Sequence, residues 1–344
     1  MPEATKVRNM EEFAALAGIS RPTVSKYFHD PSSVRPRTRE RIEAALKRHD
    51  YRPNLYAVNQ NRRLTKTVGI VVPYLADPFF AELARRLEQG CADAGFRPII
   101  FSAYGDPAAE VDILDNLRGL RPSGVLLAPL GRASDRGAIA RFCDEVPTIL
   151  VDSNLEGLGQ AFVGSDNFSF VSQTVEYMTR TGEPPALFEM RDPANPNANK
   201  RRLAYLSMME RFGHAPMVLS VEGRGWEFEE IGRRGMLRLI DADALPSRSI
   251  LCSNDRLAIG VLSACFARGL SVGRGAGADL RLASNDDHPF ARFTNPPLTT
   301  SAHDYDAVAA RAVELLGEMV EGGGRLRERT EDLFAARLVM RQSA

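Results

Sequence analysis

The segment from Ser20 to Lys26 carries side chains whose types and spacing suit the reading of nucleic acid. In a helix, Arg21, Pro22, Ser25 and Lys26 would face outward, where a recognition helix meets a major groove. A guanidinium can donate two bonds to a guanine edge, whereas an ammonium is a point donor. Pro22 offers only apolar contact, for example with a thymine methyl. The predicted chemistry is therefore binding, with no bond made or broken.

Further hydroxyl, imidazole and guanidinium groups in this region suit contacts with phosphates, which set the register but carry no sequence information. For Lys26, contact with a phosphate alone is the alternative to contact with a base. For Arg37, a phosphate contact and a solvated position without a partner are equal alternatives. The predicted phosphate contacts are Ser20, Thr23, Ser25, His29, Arg35 and Thr38.

The residues before this segment predict a short helix and a turn. Phe13, Leu16 and Ala17 share one face of the first helix, by the three-to-four spacing of apolar positions. Gly18 can adopt the left-handed conformation that ends a helix. Ser20 is a suitable N-cap for the next helix. This arrangement predicts a helix-turn-helix.

Two more observations support that motif. Pro22 would lie in the first turn of the second helix, where its missing N–H is not needed. Val24 and Phe28 would then point back at the first helix. A third helix is predicted to start near Pro36. The apolar residues through which it packs are Ile42, Ala45 and Leu46.

Composition separates a basic head from an acidic body. The 344 residues are too many for one compact core, so two or three domains are expected. Residues 1–66 contain 14 Lys/Arg and 7 Asp/Glu, whereas the remainder contains 30 and 37. This asymmetry is typical of a DNA-binding module joined to another function.

Localisation and cofactors are predicted from what the sequence lacks. It has no long apolar run and no apolar signal core, so a cytoplasmic protein with no membrane partner is expected. The four cysteines lack metal-ligand spacing, which predicts free thiols, no metal and no cofactor.

From Thr67 the pattern changes to short apolar runs that alternate with amphipathic helices. Such alternation predicts parallel sheets with right-handed crossovers. It occurs in two cycles, which suggests two doubly wound subdomains facing a cleft for a small molecule. The predicted strands are 68–73, 98–101, 124–128, 147–151, 186–190, 217–221, 249–252 and 280–283, and the predicted helices are 79–94, 108–120, 135–144, 168–181, 199–212, 227–239 and 255–268.

Several motifs occur in an order and at a spacing that together resemble the lactose/galactose repressor (LacI/GalR) family over nearly the whole chain. Any one of these motifs alone would be weak evidence. The motifs are Ala17–Ser25, Val34–Arg39, Tyr51–Asn54, Val68–Pro73, Asp77–Phe80, Gly124–Leu127, Asp166-Asn167, Asn254–Gly260, Asp286-Asp287 and Asn295–Thr300.

The resemblance implies an all-α helix-turn-helix head plus an α/β periplasmic-binding-protein-like core of two doubly wound parallel-sheet subdomains. It also implies a homodimer that reads a near-palindromic operator. The implied boundaries are 1–54 for the head, 55–66 for the hinge and 67–344 for the core, with an N-subdomain of about 67–164 and 293–322 and a C-subdomain of about 165–292 and 323–344.

The resemblance also places DNA contacts in the hinge, at Asn54, Ala57 and Gln60. The family usually has leucine at the last of these positions, where paired hinge helices wedge open the minor groove. Gln60 is a poor apolar wedge, so the operator is expected to bend less than is usual for the family. Alternatively, Val58 or Leu64 supplies the wedge in a shifted register.

For the effector, the resemblance implies contacts in the cleft, of which Asp286 is the strongest candidate because a carboxylate can accept from two neighbouring hydroxyls. Core packing is the alternative for the phenylalanines and for Trp226, and an interface for Tyr305. Arg202 is an alternative to Arg201, and Arg256 would suit an acidic or phosphorylated effector. The predicted contacts are Asp77, Phe79, Phe80, Arg201, Trp226, Asn254, Arg256, Asp286 and Tyr305.

The function expected from these observations is a sequence-specific repressor of carbohydrate uptake or catabolism genes, released by a small sugar-like effector. Corepression and a non-sugar or phosphorylated effector stay open, as does a regulator with no effector. A sugar-binding receptor without DNA function is a distant alternative. An enzyme is not expected, because Asp286-Asp287-His288 has no nucleophile motif, His pair or Cys pair beside it.

Overall fold

The computed structural model describes residues 7, 9–29, 31–49, 51, 65–275 and 277–344, without the side chain of His29. The chain divides into two compact units between Thr65 and Lys66. Each unit has its own hydrophobic core, and each is described separately below.

The first unit packs three helices around Phe13. They are α1 (Met10–Ala17), α2 (Arg21–His29) and α3 (Pro36–His49). Gly18 ends α1 in the left-handed conformation, with φ 63°, as its lack of a Cβ predicts. Phe13 is fully buried and stacks on Tyr51 with the ring centroids 4.6 Å apart. The predicted contacts of Val24 and Ile42 with this core are confirmed.

One detail of the first unit differs from the sequence prediction. Leu16 is 52% exposed. Successive residues of a helix turn by roughly 100°, and the buried arc of α1 is centred between Phe13 and Ala14, which leaves Leu16 on the outer flank. Ser20 holds the predicted N-cap position of α2: its carbonyl accepts from the amides of Thr23 and Val24, while its hydroxyl bonds to the Thr23 hydroxyl at 2.8 Å.

The second unit contains two sheets of six strands with helices on their faces. The first sheet has the order β11-β5-β4-β3-β1-β2 and all its strands are parallel. Its elements up to β5 are β1 (Thr67–Val72), α4 (Pro78–Asp93), β2 (Arg97–Ser102), α5 (Pro107–Leu120), β3 (Gly124–Leu127), α6 (Arg136–Glu145), β4 (Thr148–Val151) and β5 (Ala161–Ser165).

The second sheet has the order β12-β10-β9-β8-β6-β7. Its strands are parallel except for β12, which pairs antiparallel with β10 at the edge. The remaining elements are α7 (Asn167–Thr181), β6 (Ala186–Met190), α8 (Ala198–Arg211), β7 (Val218–Val221), α9 (Phe228–Asp241), β8 (Ser249–Cys252), α10 (Asp255–Ala267), β9 (Arg281–Asp286), β10 (Thr299–Ala302), α11 (Tyr305–Glu321), β11 (Thr330–Phe334) and β12 (Arg337–Val339).

The predicted fold class of a helix-turn-helix head and two mostly parallel α/β subdomains is confirmed. The predicted subdomain boundaries, however, place two strands in the wrong sheet. Strand β10, within 293–322, pairs with β9 of the second sheet, and β11, within 323–344, pairs with β5 of the first. The chain crosses between the sheets at these points, and nothing local in the sequence marks the partner strand.

The cysteines of the second unit are all free thiols, as the sequence predicts. Among the helices that the structure describes, none is long and apolar enough to cross a membrane.

Candidate functional site

Polar side chains gather where the strands of both sheets end. Asp77 follows β1 and Asp152 follows β4 on the first sheet, while Asn254 follows β8 and Asp286 ends β9 on the second. In open α/β sheets, ligands bind outside the carboxyl ends of the strands. The two sheets therefore present their ligand-binding edges to the same cleft.

The cleft is nearly closed in this structure and leaves a cavity of only about 10 Å³. A ligand of sugar size therefore enters only if the subdomains separate or the side chains between them move. The lining residues are Asp77, Phe79, Phe80, Asp152, Asn195, Asn197, Arg201, Asn254, Arg256, Asp286 and His288.

Most of the effector contacts implied by the resemblance lie in this lining, but Trp226 and Tyr305 do not. Asp152, Asn195, Asn197 and His288 also line the cavity and were not predicted. Asp152 follows a predicted buried strand directly, and that signal was available in the sequence. The two asparagines lie five and seven residues beyond the predicted strand 186–190, so a strand signal precedes them too, but they do not follow the strand directly.

Arg201 lies at the centre of a buried network. Its side chain is 3% exposed, and its Nη2 donates to Asp286 Oδ1 at 2.6 Å. Its Nη1 donates to the carbonyl of Ser253 at 2.6 Å, and its Nε donates to Asn167 at 3.2 Å. Arg202 instead pairs with Glu189. The cleft arginine is therefore Arg201, and the shifted alternative does not apply.

Asp286 is held in its ionised form by its neighbours. Burial opposes ionisation, but the Arg201 guanidinium and a bond from His303 outweigh it, so the pKa of Asp286 is lower than usual. His303 Nε2 lies 3.2 Å from Asp286, and its Nδ1 lies 2.7 Å from the Ser165 hydroxyl. Asp286 also has a φ of 119°, an uncommon backbone conformation that fixes where the carboxylate points.

Arg256 links the two subdomains. It donates to Asp77 at 3.0 Å across the cleft and makes two bonds to Glu229, at 2.7 Å and 2.6 Å. Burial raises the pKa of Asp77 even though Arg256 opposes that shift. The hypothesis that Arg256 is a free cation for an acidic effector does not hold in this geometry, because two carboxylates already neutralise it.

Asp152 and Asn197 form a second bridge across the cleft. Asn197 Nδ2 donates to Asp152 Oδ1 at 3.0 Å and to the Asp152 carbonyl at 3.2 Å. Burial raises the pKa of Asp152 to about 7, although Arg201 and Lys200 oppose the shift. Asp152 is therefore the lining carboxylate whose charge is compensated least.

Trp226 reaches from the second subdomain onto the first. It is 8% exposed and stacks on Tyr74 with centroids 5.2 Å apart and planes 14° apart. Phe80 and Phe228 contact it edge-on. Gly105 permits this approach, because a Cβ there would lie 2.2 Å from Trp226 Nε1. The ring packs beside the cavity, so its predicted ligand contact stays a prediction.

Tyr305 lines a smaller cavity next to the main one, beside Phe79 and His303. Its hydroxyl has no hydrogen-bond partner among the described residues. Its predicted role as an effector contact also stays a prediction.

In the first unit, the predicted base-reading residues lie on one exposed side of α2. Arg21, Pro22 and Lys26 are exposed, as is Ser25, a predicted phosphate contact, and Val24 faces the core. Of the predicted phosphate contacts, Ser20 and Arg35 are exposed, whereas Thr23 and Thr38 are half-buried. The predicted hinge contacts at Asn54, Ala57 and Gln60 lie outside the described residues, as do Val58 and Leu64.

Comparison with known protein families agrees with both units. Residues 9–54 match bacterial regulatory proteins of the lacI family, and residues 180–344 match a periplasmic binding protein-like domain.

Two relatives and one solved structure illustrate the similarity. The NTD biosynthesis operon regulator NtdR of Bacillus subtilis is 24% identical, over 97% of this chain and 99% of the relative. The ribose operon repressor of Escherichia coli is 26% identical, over 89% of this chain and 91% of the relative. The lac repressor dimer bound to operator and the anti-inducer ONPF superposes with a TM-score of 0.84 at 22% identity, over 98% of this chain and 99% of that one, which shows the shared fold.

Proposed function

We propose that this chain, whose residues 9–54 match bacterial regulatory proteins of the lacI family, is a dimeric DNA-binding repressor released by a small effector. The single observation that carries the proposal is the pairing of an exposed recognition helix with a polar cleft in one chain. Its target genes would serve carbohydrate uptake or catabolism, by analogy with the ribose operon repressor.

The DNA-binding part of the proposal depends on α2. Arg21 would donate to a guanine edge and Lys26 to a base or a phosphate, while Pro22 would add apolar contact. A homodimer would present two such helices to two half-sites, so the operator would be near-palindromic. The basic charge of residues 1–66 would favour approach to the phosphate backbone.

The regulatory part depends on the cleft. Asp77, Arg201 and Asp286 offer acceptors and donors for several hydroxyl groups at once. An effector changes DNA affinity only to the extent that it binds two conformations of the core with different affinity. The cross-cleft contacts of Arg256, Trp226 and Asn197 are among those that would change when the subdomains move.

The test is fluorescence anisotropy on a duplex enriched from a random DNA pool by the full-length protein. Arg21→Ala is expected to weaken binding by roughly ten- to a hundredfold, the usual loss for one good base contact. Lys47→Ala, an exposed lysine of α3 outside the proposed contacts, serves as the matched control. Equal effects of the two substitutions would refute the assignment of α2.

A panel of pentoses, hexoses, polyols and their phosphates would then be added to the DNA complex. A compound that lowers DNA affinity supports release by an effector, and one that raises it supports corepression. The neutralised Arg256 favours a neutral or cationic effector over a phosphorylated one.

A further inference from the structure

The charges that line the cleft do not balance. The lining contains three carboxylates, from Asp77, Asp152 and Asp286, but only two guanidiniums. One guanidinium, from Arg256, is shared with a fourth carboxylate, that of Glu229. The other, from Arg201, is bonded to Asp286. Even with Lys200, whose charge also acts on Asp152, the site has an excess of negative charge. Asp152 is the lining aspartate that makes no ion pair among the described residues.

Asn197 adds an unused acceptor next to Asp152. Its side-chain nitrogen must face Asp152, because both atoms within reach there are oxygens that only accept. The Asn197 Oδ1 atom therefore points elsewhere. It has no partner among the described residues although the residue is only 2% exposed. Buried polar atoms are nearly always hydrogen-bonded, so an orphaned acceptor in a lining indicates a ligand donor.

His288 adds an unused donor to the same lining. Its Nδ1 accepts from the amide of Phe290 at 3.0 Å, so the proton of the neutral ring lies on Nε2. Burial lowers the pKa of His288, which keeps the ring neutral. The Nε2 atom has no partner in the part of the chain that the structure describes. It is suited to donate to a hydroxyl oxygen of a ligand.

We propose that the effector is an aminated polyhydroxyl compound, such as an amino sugar, whose ammonium group binds Asp152 and the Asn197 side-chain oxygen. His288 donates to one of its hydroxyls. The inference rests on the proposed function only in taking the cleft as the effector site. An ammonium supplies both the positive charge and the hydrogen-bond donors that the lining around Asp152 and Asn197 lacks. A hydroxyl supplies only one donor and no charge to pair with Asp152. An anionic ligand would be repelled by the same excess.

The test is isothermal titration calorimetry of the full-length protein with matched sugars. The probes are glucosamine, galactosamine and mannosamine, each compared with its parent hexose and its N-acetyl form, which has the same ring but no charge. At least one amine is expected to bind about ten- to a hundredfold more tightly than its two partners, as a charge-assisted hydrogen bond predicts.

The substitution Asp152→Asn tests whether the preference for the amine comes from the carboxylate of Asp152. The amide keeps the shape and an acceptor for Asn197 but removes the charge, so the amine is expected to lose most of its advantage. Asp144→Asn, on the exposed side of α6, is the matched control and should leave the preference unchanged. Circular dichroism of both variants verifies folding, and Asn197→Ala provides a second, independent reduction of amine affinity.

Three results would overturn the inference: no amine binds, the parent hexose binds as tightly as its amine, or Asp152→Asn keeps the full preference. DNA binding measured on the same samples separates this inference from the proposed function. Specific DNA binding with no amine preference refutes only the amine. An amine preference with no specific DNA binding refutes the regulator and keeps the ligand class.

Discussion

Replacing Asp152 with asparagine is expected to stabilise the ligand-free core at alkaline pH. The pKa of this carboxyl rises from an ordinary 3.8 to about 7, mainly because of burial. Asparagine resembles the protonated acid, can accept the bond from Asn197 and tolerates the φ of 65° at this position. The substitution therefore removes the cost of a buried charge while keeping the local geometry.

The magnitude follows from the size of the pKa shift. A rise of roughly three units corresponds to about 4 kcal/mol, at about 1.4 kcal/mol per unit. Because the pKa of Asp152 is raised in the folded state, the parent protein has its full free energy of unfolding below about pH 4. It loses about 4 kcal/mol of that free energy as the pH rises through 7. The groups that set the shift besides burial are Arg201, Lys200, Asp286 and Asp77.

The assay is urea denaturation at pH 4.5 and pH 8, followed by the fluorescence of the single tryptophan, Trp226. At pH 8 the variant is expected to be more stable than the parent by up to about 4 kcal/mol, and at pH 4.5 this difference should fall to about 1 kcal/mol. Asp144→Asn should show no such dependence. A variant that is less stable at pH 8, or a stability difference that does not change with pH, would refute this reasoning about the buried carboxylate.

Three further predictions concern other parts of the chain. Arg201→Lys is expected to destabilise the core by about 3 kcal/mol, since one ammonium cannot replace the buried guanidinium bonds to Asp286, Ser253 and Asn167 together, and calorimetric melting beside Arg211→Lys as the exposed control checks this. Gly105→Ala should displace Trp226, because a Cβ there meets the indole at 2.2 Å and the φ of +73° disfavours alanine; a shift in tryptophan emission is expected, and Gly213→Ala, with φ +70° and open space, is the control. Replacing Gln60 with leucine should sharpen the bend of the operator in a circular-permutation gel assay, and an unchanged bend would argue for a wedge at Val58 or Leu64.

The sequence predicts the head well because its signals are local. Gly18 ends one helix and Val24 returns to Phe13 a few residues earlier, so the pattern and its partner lie in the same short segment. The strands β5, β10, β11 and β12 escaped prediction because none of them is a continuous run of large apolar residues. Strand β10 reads Thr-Thr-Ser-Ala and β11 reads Thr-Glu-Asp-Leu-Phe, so neither has the apolar pattern by which the other strands were found.

The candidate site likewise has residues that local sequence motifs predict and contacts that only the structure shows. Asp77 and Asp286 stand in motifs that can be recognised from neighbouring residues. The neutralisation of Arg256 depends on Glu229 and on Asp77, the latter from the other subdomain, and no local pattern shows it. Asn197 lies seven residues beyond β6 and bonds to a residue 45 positions earlier in the chain, so its bond to Asp152 is visible only in three dimensions.

The central claim, that this chain reads a two-fold symmetric DNA site through α2, is tested most directly by selecting bound duplexes from a random pool with the full-length protein. We expect enrichment of one sequence with two inverted half-sites, and loss of that enrichment in Arg21→Ala but not in Lys47→Ala. A pool that stays random, or an enriched site without symmetry, would contradict it.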